Sequence, residues 1–256
     1  MTALLIAVTS LVASTLTLFS GFGLGTLLMP VAALFFPIEV AIGITAVVHL
    51  ANNLFKAVLV GRQASWGVVL RFGAPAVISS LIGAFCLIKL GVMPTLYEVS
   101  TLGVARQVTA VKGITGLLIF VFVLLDLIPA FTRLTFDRRY LPLGGFLSGF
   151  FGGLSGHQGA LRSMFLVKAG LSKEAFIGTG VIIAVLVDIT RLLVYGSTTN
   201  LTSFPDPFLV IIACLSAFVG AFVGARLISK VTYKTIQILV SILLTGISIC
   251  LLLGLL

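Results

Sequence analysis

Apolar residues run along this chain in blocks too long and too continuous for a half-buried strand or the one-sided stripe of a soluble helix. A membrane crossing takes about 20 apolar residues. On that measure the pattern predicts crossing helices near Val40–Val60, Val68–Leu90, Val111–Phe131, Phe176–Tyr195, Phe208–Ile228 and Ile236–Leu256. Two apolar stretches, Ala3–Phe36 and Leu141–Ala169, are too long for one crossing and too short for two with a turn. Both are interrupted by glycine. The first breaks at Ser20-Gly21-Phe22-Gly23-Leu24-Gly25-Thr26, the second at Gly152-Gly153 and again around Gly156 and Gly159. Non-helical backbone at membrane depth is tolerated only where protein buries it or a cavity waters it. Each stretch is therefore read as a hairpin of two short helices that enters the membrane and turns back.

Charge placement supports the hairpins. If each broken stretch returns to the face it entered from, Arg62, Arg71, Arg133, Arg138, Arg139, Lys168, Lys173, Arg226, Lys230 and Lys234 share one face. Lys89, Arg106 and Lys112 then fall toward the other, beside Glu39, Glu98 and Asp206. Cytoplasmic loops are the ones enriched in Lys and Arg, so the first face is inside and both termini are outside. Single crossings would split the basic loops almost evenly.

The two halves also echo each other. A shift of 135 positions puts Ser20 on Ser155, Gly21 on Gly156, Met29 on Met164, Glu39 on Glu174, Gly43 on Gly178 and Lys56 on Arg191. Because Arg62 falls inside and its counterpart Ser197 outside, the repeats are inverted. The expected fold is an all-α polytopic membrane protein made of two inverted repeats, residues 1–131 and 141–256, joined by a cytoplasmic linker, 132–140. Each repeat is a broken hairpin plus three crossing helices. Paired breaks in corresponding places of two halves point to a transporter binding site.

Composition narrows the class. Of 256 residues, 59% are hydrophobic and 9% charged, with a mean hydropathy of +1.27, which leaves no room for a soluble domain. The net charge of +9 is explained by the inside loops, and no basic run is long enough to follow a nucleic acid backbone. The apolar N-terminus lacks the charged start of a signal peptide. Cys86, Cys214 and Cys250 lie inside apolar segments with neither disulfide nor metal spacing, so no metal or cofactor is expected. No HExxH, P-loop or GxSxG pattern occurs, and neither an ATP-driven pump nor an enzyme finds catalytic residues here.

The polar residues inside the apolar blocks are the candidate chemistry. Thr45, His49, Asn52 and Lys56 fall within about 60° of arc on one face of a 3.6-residue helix, with Asn53 at its edge. Such a face lines a pathway or a site. Snorkelling explains Lys56 equally well, and helix packing explains His49, Asn52 and Asn53. In the second half Asp188 and Arg191 stand at the places of Asn53 and Lys56. They form an i, i+3 pair that is either structural, an anion ligand tempered by a carboxylate, or a proton carrier. The hairpin tips contribute Ser20, Gly21, Gly25 and Thr26 with Ser155, Gly156, His157, Gln158 and Gly159. Two short helices restarting after these glycines aim backbone N–H groups at a common gap. Arg162, one turn beyond Gln158, adds a guanidinium that can fork onto two oxygens. His49, His157 and Asp188 are the candidates for proton coupling.

Gly21-Phe22-Gly23-Leu24-Gly25 with Pro30, followed by Glu39-Val40-Ala41-Ile42-Gly43, resembles the first half of the TauE/SafE sulfite-exporter family. Gly145-Phe146-Leu147-Ser148-Gly149-Phe150-Phe151-Gly152-Gly153 with Lys173-Glu174-Ala175 resembles the start of its second half. The likeness spans nearly the whole chain. Ser155, His157 and Gln158 depart from it, standing where family members commonly have glycine. The resemblance implies a multi-pass permease of the bacterial inner membrane for sulfite, organosulfonates and related small anions. An anion channel built from the same tips, or a membrane-bound protein that transports nothing, are the competing expectations. Partners are the small anion, protons if transport is coupled, and the lipid bilayer. An oligomer is compatible with everything above.

Overall fold

The structure, a computed structural model, describes residues 2–17, 24–101, 104–128, 134–198, 207–227 and 233–255. It is helical almost throughout. In chain order the helices are α1 (Thr2–Thr17), α2 (Leu24–Ala33), α3 (Ile38–Val60), α4 (Trp66–Gly91), α5 (Ala110–Leu127), α6 (Leu141–Ser155), α7 (Gly159–Leu166), α8 (Lys173–Thr198), α9 (Pro207–Leu227) and α10 (Tyr233–Leu252). Among the described residues four helices are long and apolar enough to cross a membrane: Ile38–Gln63, Trp66–Gly91, Lys173–Ser197 and Pro207–Gly224. Leu4, Val58, Leu70, Leu193 and Ile242 stand exposed on the outside of the bundle, as expected where lipid replaces water as the solvent. The chain is thus an all-α polytopic membrane protein.

The two awkward stretches each fold as a pair of short helices, α1 with α2 and α6 with α7. In the second pair the break is narrower than the sequence suggests. Gly152 and Gly153 do not interrupt the helix; α6 continues to Ser155 and ends at Gly156, whose φ of +81° is left-handed. Gly153 does a different job, while Gly152 faces Val187 and Gln158. A Cβ on Gly145, Gly149 or Gly153 would stand 2.0, 2.1 and 2.1 Å from the carbonyl oxygens of Phe72, Ala76 and Ser80. Glycines at four-residue steps on α6 therefore ride directly on the backbone of α4. Close approach through small residues is how helices associate where no hydrophobic force acts between them. The same device joins α1 to α9, where a Cβ on Gly220 or Gly224 would meet the carbonyl oxygens of Leu11 and Thr15 at 2.2 and 2.5 Å. The remaining main contacts pair α3 with α8 and α5 with α10.

α4 departs from regular geometry once, in a π-helical turn at Val69–Gly73. A second unanticipated feature is an antiparallel hairpin, β1 (Thr95–Thr101) with β2 (Val104–Thr109), between α4 and α5. Gln107 Nε2 donates to Glu98 Oε1 at 3.0 Å across it, and the Tyr97 hydroxyl donates to the carbonyl of Leu252.

The ends of the bundle differ in charge. Phe136 stacks on Phe165 with centroids 4.4 Å apart, and its N–H donates to the Met164 carbonyl at 3.2 Å. The Ser65 N–H donates to Thr179 Oγ1 at 2.9 Å. These contacts gather the α3–α4 link, residues 134–140 and the end of α7 around one apolar cluster of Val68, Phe72, Leu141, Phe165 and Leu166. Exposed Arg62, Arg71, Arg138, Arg139, Lys168 and Lys173 fringe that end. At the opposite end the α2–α3 turn at Phe36 and Pro37 faces Lys112, Leu251 and Leu255.

Candidate functional site: a buried polar crossing between α3 and α8

α3 presents Thr45, His49, Asn52, Asn53 and Lys56 to the interior of the bundle, and all five are buried. α8 answers with Asp188, which is 0% exposed, and Arg191, which is 1% exposed. Asp188 Oδ2 lies 2.6 Å from His49 Nδ1 and accepts from Asn53 Nδ2 at 3.1 Å. Its other oxygen accepts from Arg191 Nε at 3.1 Å, while Arg191 Nη2 stands 2.8 Å away as an ion pair. Asn53 Nδ2 also lies 3.0 Å from His49 Nδ1. A charge at this depth is tolerable only when paired and hydrogen-bonded, and Asp188 meets both conditions. The i, i+3 pairing read from the sequence is present. The cross-chain bonds from His49 and Asn53 were not legible, because nothing in the sequence fixes how α3 meets α8.

Arg191 reaches the second hairpin tip. Its Nη1 donates to the Gly152 carbonyl at 3.5 Å, and a Cβ on Gly156 would stand 2.8 Å from the same nitrogen. Tyr195, one turn further along α8, donates its hydroxyl to the Gly153 carbonyl. Sequence reasoning passed over Tyr195; its position four residues after Arg191 on the same face was the available signal. It also passed over Ser14, whose hydroxyl donates to Asn52 Oδ1 at 3.2 Å and ties α1 to α3.

The tips approach each other, as expected. A Cβ on Gly25 would lie 3.5 Å from Thr45 Cγ2 and 3.7 Å from the Gly156 carbonyl oxygen, so the start of α2 meets the break between α6 and α7. His157 Nδ1 lies 3.1 Å from the Ser155 carbonyl and 3.2 Å from its hydroxyl, and the ring stacks on Phe122 at 5.9 Å. Ser155 Oγ donates back to Phe151 at 3.2 Å. The Gln158 carbonyl accepts from Ser148 Oγ at 3.0 Å, and Gly159 opens α7. On that helix the Arg162 Nε would lie 3.5 Å from a Cβ on Gly180. Ser20 and Gly21 lie outside the described residues; Thr26 sits on α2, with its side chain also outside them.

Several buried polar atoms here have no hydrogen-bond partner among the described residues: Thr45 Oγ1, Asn52 Nδ2, His157 Nε2, both side-chain polar atoms of Gln158, Arg162 Nη1, and Arg191 Nη2, which has only its ion pair with Asp188. Lys56, 8% exposed, likewise pairs with no acceptor among them. Unpaired buried polar groups are rare and call for an explanation. The charges do not balance either. Buried Lys56 and Arg191, with half-buried Arg162 whose Nη1 is fully shielded, stand against Asp188, the one buried carboxylate among the described side chains. No group of three or more His, Cys, Asp or Glu side chains that could hold a metal occurs among the described residues.

Comparison with individually curated proteins gives no match. The family model described as "Sulfite exporter TauE/SafE" matches residues 6–251, which takes in both hairpins, the polar crossing and every crossing helix. The chain belongs to the TauE/SafE sulfite exporter family of membrane transporters.

Proposed function

We propose that this chain is a secondary transporter that moves a small sulfur oxyanion, sulfite or an organosulfonate, across the bacterial inner membrane by alternating access. Residues 1–131 and 141–256 act as inverted repeats, with the linker 132–140 inside. The pattern of helix contacts supports the repeats. α1 packs on α9 and α6 packs on α4, while α3 pairs with α8 and α5 with α10; exchanging the halves maps this set onto itself. Asn53 and Asp188, which occupy the same place in the two halves, hydrogen-bond to each other at 3.1 Å. A contact of that kind belongs on a pseudo-twofold axis.

The observation that carries the reading is the surplus of positive charge shielded at the polar crossing. Buried Lys56 and Arg191 and the shielded Nη1 of half-buried Arg162 have Asp188 as their one buried carboxylate among the described side chains, and shielded unpaired cations are costly in a membrane protein. A site that keeps them serves an anion. The tips at Gly25 and Gly156, the side chains of Ser155, His157 and Gln158, the backbone at Gly159, and the stripe of His49, Asn52 and Asn53 surround it. Ser20, Gly21 and Thr26 complete the first tip. His49, Asp188 and His157 are the coupling groups through which a proton gradient drives the cycle.

Purified protein in proteoliposomes tests this with labelled sulfite. Saturable uptake that accelerates when unlabelled sulfite is trapped inside is the expected result. Flux proportional to concentration, without counterflow, would replace the transporter by a channel.

A further inference from the structure

Three cations, Lys56 and Arg191 buried and Arg162 half-buried, stand against one buried carboxylate here, and they are not equivalent. Arg191 is committed to the protein. Its Nε donates to Asp188 Oδ1, its Nη2 pairs with the same oxygen, and its Nη1 donates to the Gly152 carbonyl. A guanidinium has five N–H donors in a fixed fork; here Nε and Nη1 hydrogen-bond the protein and Nη2 rests against Asp188 Oδ1 as an ion pair. Arg191 is a positioning residue. It holds the α6–α7 break, where Gly156 leaves room for its Nη1 with φ at +81°.

Lys56 and Arg162 are committed to nothing among the described residues. Arg162 Nη1 is fully shielded without an acceptor, and its Nε lies beside Gly180 on α8. Lys56 is on the α3 face that meets α8, three residues from Asn53 and four from Asn52. Lys56 falls between Asn53, which bonds Asp188, and Val60, whose carbonyl a Cβ on Gly178 would meet at 2.5 Å, so its part of α3 lies against the part of α8 that carries Gly180 and, beside it, Arg162. Asn52 Nδ2 and Gln158 Nε2 are buried donors without acceptors in the same region.

From this we infer that Lys56 and Arg162 together form the anion site, and that the site selects a doubly charged oxyanion over a singly charged analogue of the same size. This rests on the transporter reading above and names the charge of its substrate. Asp188 is neutralised by Arg191, so two positive charges remain. A dianion answers both, with an Arg162 fork on one pair of oxygens and the Lys56 ammonium on another. A monoanionic sulfonate leaves one cation unpaired in a low-dielectric interior, the costly case. Sulfate and methanesulfonate separate the two. Both are tetrahedral at sulfur, and they differ by one charged oxygen against a methyl group.

The test is calorimetric titration of the detergent-purified protein with sulfite, sulfate and methanesulfonate at a pH where sulfite is mostly doubly charged. Binding of the two dianions at least tenfold tighter than methanesulfonate is expected. Lys56→Gln and Arg162→Gln should each lower dianion affinity at least tenfold and flatten the ratio, while Lys56→Arg retains it. In anion-free buffer both glutamine variants should melt at the wild-type temperature or above, because each removes an unpaired shielded cation; a merely structural role would lower it. Equal or tighter binding of methanesulfonate overturns the charge selection and leaves the transporter reading standing. Undiminished dianion binding in both glutamine variants overturns the site. Absence of binding by every anion, together with absence of flux, removes the transporter reading itself.

Discussion

Replacing Asp188 by asparagine removes a charge and almost no volume, so it isolates the electrostatic role of the polar crossing. The carboxylate is wholly buried and holds three partners: Arg191 through Nε at 3.1 Å and Nη2 at 2.8 Å, His49 at 2.6 Å and Asn53 at 3.1 Å. An amide still accepts from Arg191, but it leaves the guanidinium uncompensated. Its NH2 also faces the Asn53 NH2, donor against donor, if the oxygen stays on Arg191. Removing one member of a buried ion pair costs about 3–5 kcal/mol. For a chain of roughly this length each kcal/mol lowers the melting temperature by about 2–4 °C, so a fall on the order of 10 °C is expected. Arg191→Gln should cost a similar amount by stranding the carboxylate. The double variant Asp188→Asn/Arg191→Gln has no net charge left to strand, and it should recover roughly half or more of the summed loss. The assay is the fraction of detergent-purified protein that stays monodisperse after heating, in anion-free buffer so that ligand does not mask the effect. Additive single effects, or an Asp188→Asn variant within about 2 °C of wild type, would refute the view that this pair is a buried, mutually dependent unit.

Two further outcomes follow from backbone geometry. Gly149→Ala places a methyl 2.1 Å from the Ala76 carbonyl and 2.4 Å from Ser79 Oγ; the α4–α6 contact must open, and a loss of about 1–3 kcal/mol by overpacking should appear as a lower melting temperature. Gly156→Ala combines a left-handed φ of +81° with a Cβ 2.8 Å from Arg191 Nη1. Backbone strain of about 1–3 kcal/mol and displacement of Arg191 should depress sulfite flux well beyond the change in thermal stability.

How much of this was legible in the chain depended on which force fixed each feature. The crossing helices were readable because lipid demands an apolar length, and α3, α4, α8 and α9 match the apolar blocks to within a few residues. The hairpins were readable because an apolar stretch of the wrong length, broken by glycine, has few other solutions. Gly152-Gly153 misled for the same reason. Two adjacent glycines look like a break, but Gly145, Gly149 and Gly153 lie at four-residue steps, the spacing of a packing face rather than a turn. The β-hairpin escaped notice because apolar length carried the reading of that region. Its β-branched residues Thr95, Val99 and Thr101, then Val104, Val108 and Thr109, were the signal. At the site, local spacing revealed the α3 stripe and the Asp188–Arg191 pair. It did not reveal that His49 would bond Asp188 from 139 positions away, nor that Arg191 would turn inward to the backbone while Lys56 and Arg162 stayed unpaired. Those facts come from tertiary packing alone.

The proposed anion site needs two broken hairpins that enter the membrane from opposite faces and meet at Gly25 and Gly156. Single cysteines at Phe36, where the first hairpin ends, and at Lys168, just beyond the second, test that directly in a background with Cys86, Cys214 and Cys250 replaced. Membrane-impermeant thiol reagents applied to intact cells and to inverted membrane vesicles report the surface of each. The expected result is position 36 labelled from outside and position 168 from inside, with a cysteine at Arg138 sharing the face of position 168. Labelling of positions 36 and 168 from the same surface would contradict the inverted arrangement and the anion site built upon it.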